Sequence, residues 1–294
     1  MARRFLVRCS RLVLACLAIV VVATAFTKWR QVSNDGGQQP VEPFRIAGNL
    51  YFVGTNDVSS FLLTGPAGHV LLDGGYPGTA SMIVASMARL GFDIRDVKVL
   101  LNSDPHTDHA GGLAALKEAS GAELWASEPS AYSLASGGDD PDILLPVRFL
   151  LRARIIGYPR VRVDRRFQDG DTISVGPIRV TAHVTGGHTR GCTSYSFQVQ
   201  DGSDTLDVVS ACSLGILGVS KYPEQHDDLV RSLRVLRGLP ADVWVTSHGR
   251  LWGRYRKFAA RDTAESPVAP FVDPAGYRAY LDTAEARFRR GAEQ

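Results

Sequence analysis

The chain has 294 residues, 45% of them hydrophobic, and carries 33 basic against 30 acidic side chains. This is an ordinary globular composition, long enough to bury a substantial core, with no low-complexity tract or fixed-period repeat. Four of the basic residues and none of the acidic ones lie in the first 25 positions, so the remainder carries 29 against 30 and gives no ground for a nucleic-acid partner.

At the N-terminus Arg3, Arg4, Arg8 and Arg11 precede an apolar run from Leu12 to Val22, and Ala23-Thr24-Ala25 supplies a small-residue cleavage site. Residues 1–25 therefore read as a signal peptide, and the mature protein as exported, in the periplasm. Only an uncleaved segment would bring the protein to a membrane, and its apolar run is short for a span. Residues 26–43 are polar and read as a tether; residues 44–294 read as one domain. Cys9 and Cys16 leave with the signal. Cys192 and Cys212 remain, and although an oxidising compartment permits a bridge, the expectation is two unpaired, buried thiols.

From Ile46 the pattern is β-rich, with strands at Leu50–Val53, Ser60–Thr64 and Val70–Leu72, the last ending at Asp73-Gly74-Gly75. Residues Thr79–Leu90 place Met82, Ile83, Met87 and Leu90 at helical spacing before Gly91. Strand returns at Val97–Leu101, helix at Gly112–Ala119 and strand at Ala122–Ala126. Between Ser133 and Phe167 the pattern weakens and seven Arg are interleaved with apolar residues. This stretch is expected as a solvated segment whose Arg stems cover apolar surface, ahead of a mobile cover over a site or a lipid-facing surface.

The second half repeats the style of the first. Strands are expected at Thr172–Val175, Ile178–Val184, Ser194–Gln200, Leu206–Val209 and Val243–Thr246, and helices at Asp227–Arg237 and Ala275–Arg289. The last helix sets Tyr277, Tyr280, Leu281, Ala284 and Phe288 on one face. Two strand-rich halves with helices outside predict an α/β fold, a four-layer αββα sandwich.

The densest chemistry is Asp104-Pro105-His106-Thr107-Asp108-His109, a strand-to-helix loop followed by Ala110-Gly111-Gly112. Two imidazoles and two carboxylates within six positions, on a loop held by rigid elements at both ends, point to a divalent cation rather than to a solvated polar turn.

With Leu71-Leu72-Asp73-Gly74-Gly75, His109-Ala110-Gly111-Gly112-Leu113, Gly187-His188-Thr189, Ser247-His248-Gly249 and Pro270-Phe271-Val272-Asp273-Pro274 in this order, the chain resembles a metallo-β-lactamase-fold hydrolase. Within that fold it is most similar to the third subclass of metallo-β-lactamases. The resemblance implies two Zn2+ ions, the first held by Asp104, His106 and His188 and the second by Asp108, His109 and His248, with Asp108 also orienting the nucleophile. It further implies that Ser213 contacts a substrate carboxylate, that Asp73 is a candidate to hold the outer nitrogen of a ligand His, and that Cys212 packs near the site. His69, expected exposed, His183 and His226 stay outside the ligand set.

One departure stands out. The family pattern is His-x-His-x-Asp-His, and Asp104 occupies the first His position. A carboxylate is shorter than imidazole and adds negative charge, leaving three outcomes open: a working first site, one that fills only at high metal, or one that prefers oxygen-loving ions. The resemblance implies a hydrolase opening cyclic amides, with β-lactams as the small-molecule substrate. The alternatives are a lactone or ester hydrolase and a zinc-binding protein with impaired turnover. No Asp stands near Cys212 to bridge two metals, as the glyoxalase II branch would require, which favours lactamase-like chemistry.

Overall fold

The computed structural model describes residues 37–218 and 220–292, so the signal-peptide reading and most of the tether lie outside it. Residues 37–43, expected as tether, are pinned to the turn after the second strand: Asn56 N donates to Gln39 O at 3.0 Å and Gln39 N to Asn56 Oδ1 at 3.0 Å. The domain's ordered contacts thus begin before Phe44.

In chain order the strands β1 (Phe44–Ala47), β2 (Leu50–Phe52), β3 (Phe61–Leu63) and β4 (His69–Leu72) lead to helix α1 (Ala80–Arg89) and β5 (Val97–Leu101). Short α2 (Thr107–Ala110), α3 (Leu113–Ser120), β6 (Glu123–Ser127), α4 (Glu128–Ser136), α5 (Leu145–Arg152) and β7 (Arg165–Phe167) complete the first half. The second half comprises β8 (Thr172–Val175), β9 (Ile178–Val184), β10 (Thr193–Asp201), β11 (Asp204–Ala211), α6 (Gln225–Gly238), β12 (Val243–Thr246), α7 (Arg254–Ala260) and α8 (Pro274–Ala292). Among these described helices none is long and apolar enough to cross a membrane.

Seven strands form one mixed sheet in the order β1-β2-β3-β4-β5-β6-β7, and five form a second in the order β12-β11-β10-β9-β8. Side-chain alternation explains both faces. In β3, Phe61 and Leu63 enter the core between the sheets while Leu62 faces the helix layer; in β4, Val70 and Leu72 go inward and Leu71 outward. Both faces are buried, which is why these strands read as unbroken apolar runs. Ile83 and Met87 of α1 and Leu113 and Leu116 of α3 cover the outside of the first sheet. Leu229, Leu233 and Leu236 of α6, with Tyr277 and Leu281 of α8, cover the second. The four-layer αββα arrangement is the one expected, and the predicted face of α8 is the one that packs.

The weakly patterned stretch folds into α4, α5 and β7. Its arginines are mostly paired: Arg148 and Arg152 with Asp139, Arg165 with Glu123, and Arg166 with Glu128. Periodicity was blurred here because α5 is apolar on a face that leaves Leu145 and Phe149 exposed.

Candidate metal centre

The candidate side chains sit on loops at the carboxyl ends of strands, where the sheet holds their bases and leaves their tips free. After β4, Asp73 adopts a left-handed backbone conformation at φ 63°, which an Asp tolerates better than most residues. Its carboxylate accepts Ser103 N at 2.7 Å, Ser103 Oγ at 2.5 Å and Asn102 Nδ2 at 3.3 Å, anchoring the start of the loop after β5. The glycines after the loop serve close approach. A Cβ on Gly112 would lie 2.2 Å from Gly74 O, so only glycine lets these two turns touch.

Among the described residues three groups of three potential donors result: two carry imidazoles and share no residue, and a third joins Asp104 to Cys192 and Cys212. In the first, Asp104 Oδ2 lies 3.0 Å from His106 Nδ1 and 3.2 Å from His188 Nε2. Thr189 Oγ1 donates to Asp104 Oδ1 at 3.3 Å, and His188 Nδ1 contacts the Gly215 carbonyl. In the second, Asp108 Oδ2 lies 3.3 Å from His109 Nε2 and 3.5 Å from His248 Nε2. The ring pairs face edge-on, with centroids 5.0 Å apart for His106 and His188 and 5.1 Å for His109 and His248. Asp104 is fully buried, whereas Asp108 and His248 keep some solvent contact.

The electrostatics are those of cation sites. Burial favours neutral Asp104, but His106 and His188 outweigh it and hold the carboxyl well below its ordinary range. Burial disfavours a charged His109, yet Asp108 and Asp73 push it up to about 10. Burial raises Asp73 to about 6 against the opposing pull of His109 and Ser103. The buried carboxylates thus demand positive charge beside them, which divalent cations would supply. The ring orientation agrees: Nε2 of His109 turns to Asp108 and His248, while Nδ1, buried without a hydrogen-bond partner, faces away toward Asp73. Two nitrogens and one carboxylate oxygen per set suit Zn2+ and other first-row divalent metals.

The six residues expected as ligands fall into the two imidazole-bearing groups of three, divided as expected. Asp73 faces His109 Nδ1 at 3.9 Å, beyond a hydrogen bond, its oxygens being occupied by Ser103 and Asn102. Ser213 is buried, with its Oγ 3.4 Å from Oγ of Ser247, the residue before His248. Of the remaining imidazoles, His183 bonds Ser196 Oγ at 2.8 Å and His226 packs on Phe288. His69 is buried rather than exposed: its Nδ1 accepts Gly65 N and its ring meets Phe92 edge-on, because β4 lies inside the sheet.

Two features escaped the sequence. Asp57, in the turn between β2 and β3, bonds His248 Nδ1 at 3.3 Å and also holds Arg250. No local pattern marks it, since the contact is made across 191 positions. The second is a correction: Cys192 and Cys212 are not free thiols but a disulfide, with Cα atoms 5.9 Å apart. Cys192 directly precedes β10 and Cys212 directly follows β11, and the antiparallel pairing of these strands brings them to bonding range, a register invisible without the ladder. The even pair of cysteines in a chain read as exported was the available signal.

The family model of the metallo-beta-lactamase superfamily matches residues 53–248. Among solved structures, the Rm3 metallo-beta-lactamase is 39% identical with a TM-score of 0.80, covering 87% of this chain and 97% of that one. BJP-1, a subclass B3 metallo-beta-lactamase of Bradyrhizobium japonicum, is 29% identical with a TM-score of 0.80, covering 89% and 97%. A hydroxyacylglutathione hydrolase of Jannaschia sp. is 25% identical over 188 residues, 64% of this chain; the chain spans about three-fifths of that relative's length.

Proposed function

This chain belongs to the metallo-beta-lactamase superfamily, and from that premise we propose that it is an exported, zinc-dependent hydrolase that opens the amide of β-lactams. Asp104, His106 and His188 would hold one Zn2+ and Asp108, His109 and His248 the other. When bound, the two cations supply Lewis acidity for the substrate carbonyl and make water a nucleophile at neutral pH.

The rest falls to the chain's own groups. Asp108, partly open to solvent, orients the attacking water toward the carbonyl, accepts its proton through the carboxylate, and returns that proton to the ring nitrogen as the C–N bond breaks. Ser213 donates its hydroxyl to the substrate carboxylate and fixes the scissile ring over the two sets. Asp57 holds His248 with Nε2 turned inward, and Gly215 O does the same for His188. Tyr158, whose hydroxyl donates to Pro105 O at 2.7 Å, braces the metal loop from the α5 side.

The observation that carries this reading is the pair of separate donor sets, with no carboxylate common to both, in a chain aligned over nearly the whole length of named lactamases. Purified mature protein loaded with Zn2+ should hydrolyse a chromogenic cephalosporin or a carbapenem and lose that activity on chelation. Inactivity at confirmed metal occupancy would reject the proposal.

A second reading, hydrolysis of esters or lactones, is favoured by the hydroxyacylglutathione hydrolases among the sequence relatives and by Asp104 in place of His. Against it stands Cys212, bonded to Cys192, where a bridging Asp would be needed. A lactone and a hydroxyacylglutathione assayed beside the β-lactams discriminate the two.

A further inference from the structure

The Cys192–Cys212 bond does not lie on a remote loop. Its sulfurs and the Asp104 carboxylate fall within 4.8 Å of one another, all fully buried. Cys212 Sγ is 3.2 Å from Ser103 O, directly before Asp104, and Cys192 Sγ is 3.5 Å from the carbonyl of Ser213. Asp104 therefore belongs to two donor sets at once, one with His106 and His188 and one with the two cysteines.

We propose that the disulfide is a redox lock on the first metal position: when it is open, Asp104, Cys192 and Cys212 form a rival site for a thiophilic divalent cation. A disulfide sulfur is a poor ligand, whereas a thiolate is a strong and soft one. With the bond closed, Asp104 has only imidazole partners for a cation. With it open, the same carboxylate joins two thiolates, three anionic donors in place of one, and the cation moves off His106 and His188. Joining the sulfurs removes the competitor, so correct loading follows oxidation.

The opening step balances with a trialkylphosphine: the S–S bond breaks, each sulfur gains one hydrogen, and phosphorus takes the oxygen of one water and is oxidised by two electrons. A dithiol does the same by exchange, becoming a disulfide itself. Cation binding then releases the two thiol protons to solvent.

The inference rests on the reading of Asp104, His106 and His188 as a metal site, and the test keeps the two apart. Because the sulfurs are buried, the mature protein, which lacks Cys9 and Cys16, is unfolded, reduced with the phosphine and refolded under it, then titrated with Co2+ beside the oxidised protein. The oxidised protein should show only the weak ligand-field bands of nitrogen and oxygen coordination. The reduced protein should add an intense thiolate-to-cobalt charge-transfer band, absent in the Cys192→Ser/Cys212→Ser double variant and weakened by Asp104→Asn. Cobalt bound to reduced protein with no such band, or a band that survives in the double variant, overturns the proposal. Failure of the oxidised protein to bind Co2+ would instead sink the reading of the imidazole site. Should the reduced chain not refold by circular dichroism, Cys192→Ser leaves the Cys212 thiol beside Asp104 without any reductant; a charge-transfer band there supports the proposal and its absence overturns it.

Discussion

Asp57 Oδ2 lies 3.3 Å from Nδ1 of His248, a residue 191 positions later in the chain. The contact is one stitch in a seam: Ser59 N donates to Ser247 O at 2.9 Å, Gly249 N to Asp57 O at 2.6 Å and Arg254 Nη2 to Asn56 O at 2.8 Å. The turn between β2 and β3 therefore sets the orientation of one imidazole in the second donor set. Burial works against the charge of Asp57, but the bond to His248 and the field of Arg250 keep its carboxyl low and ionised.

Asp57→Asn should accordingly weaken the second metal by roughly 10- to 100-fold, because the amide no longer fixes which ring nitrogen carries the proton. The first metal should be unaffected. Stepwise metal titration with circular dichroism as a folding control checks this, and equal affinities in variant and parent would refute a positioning role for Asp57.

How much of this was legible follows from how far each contact reaches. Asp104, His106, Asp108 and His109 stand within six positions, so their chemistry shows in the sequence, and the alternation of β3 and β4 shows as apolar runs between turns. His188 and His248 came from loop motifs carried by resemblance. Asp57 and the cysteine pair could not be read this way. Their roles depend on strand register and on a turn-to-turn seam, both of which appear only when sheets are assembled. The helices α4 and α5 were missed for another reason: an apolar face left open to solvent and a dense run of arginines erase the usual amphipathic contrast.

Ser213→Ala should raise KM for anionic β-lactams by roughly fivefold, the worth of about one hydrogen bond, with kcat nearly unchanged. The hydroxyl is buried beside Ser247 and belongs to neither imidazole-bearing set, so its loss removes binding rather than chemistry. Steady-state kinetics with a carbapenem and with a neutral ester separate the two. An equal fall in kcat for both substrates would place Ser213 in the chemical step instead.

Asp104→His tests the departure at the first position directly. The imidazole is longer and neutral, so it should tighten Zn2+ at the first set, and turnover should persist or rise. The disulfide limits the room, since both sulfurs lie close to the Asp104 carboxylate. The expected gain should therefore be larger in the Cys192→Ser/Cys212→Ser background than in the parent. No change in metal content or rate in either background would mean that residue 104 is not a ligand.

The α4–α5 segment should respond to acid through Asp139. Its carboxylate accepts Arg148 Nε at 2.6 Å, Tyr132 OH at 2.8 Å and Arg152 Nε at 3.1 Å, tying α4 to α5. Burial alone would raise this carboxyl, but Arg148, Tyr132 and Arg152 overcome it and hold it at about 2, against an ordinary value of 3.8. A group depressed in the folded state contributes stability that is present above its unfolded pKa and is lost as pH falls through the folded one. The clamp is therefore complete at neutral pH and fades between pH 4 and 2. Asp139→Asn should lower hydrogen-exchange protection of residues 139–152 by roughly fivefold at pH 7, about 1 kcal/mol, after correction for intrinsic rates. The difference between variant and parent should close as pH approaches 2, where the parent carboxyl is itself protonated. A difference that stayed constant from pH 7 to 2 would show that the segment is held by packing and not by this charge.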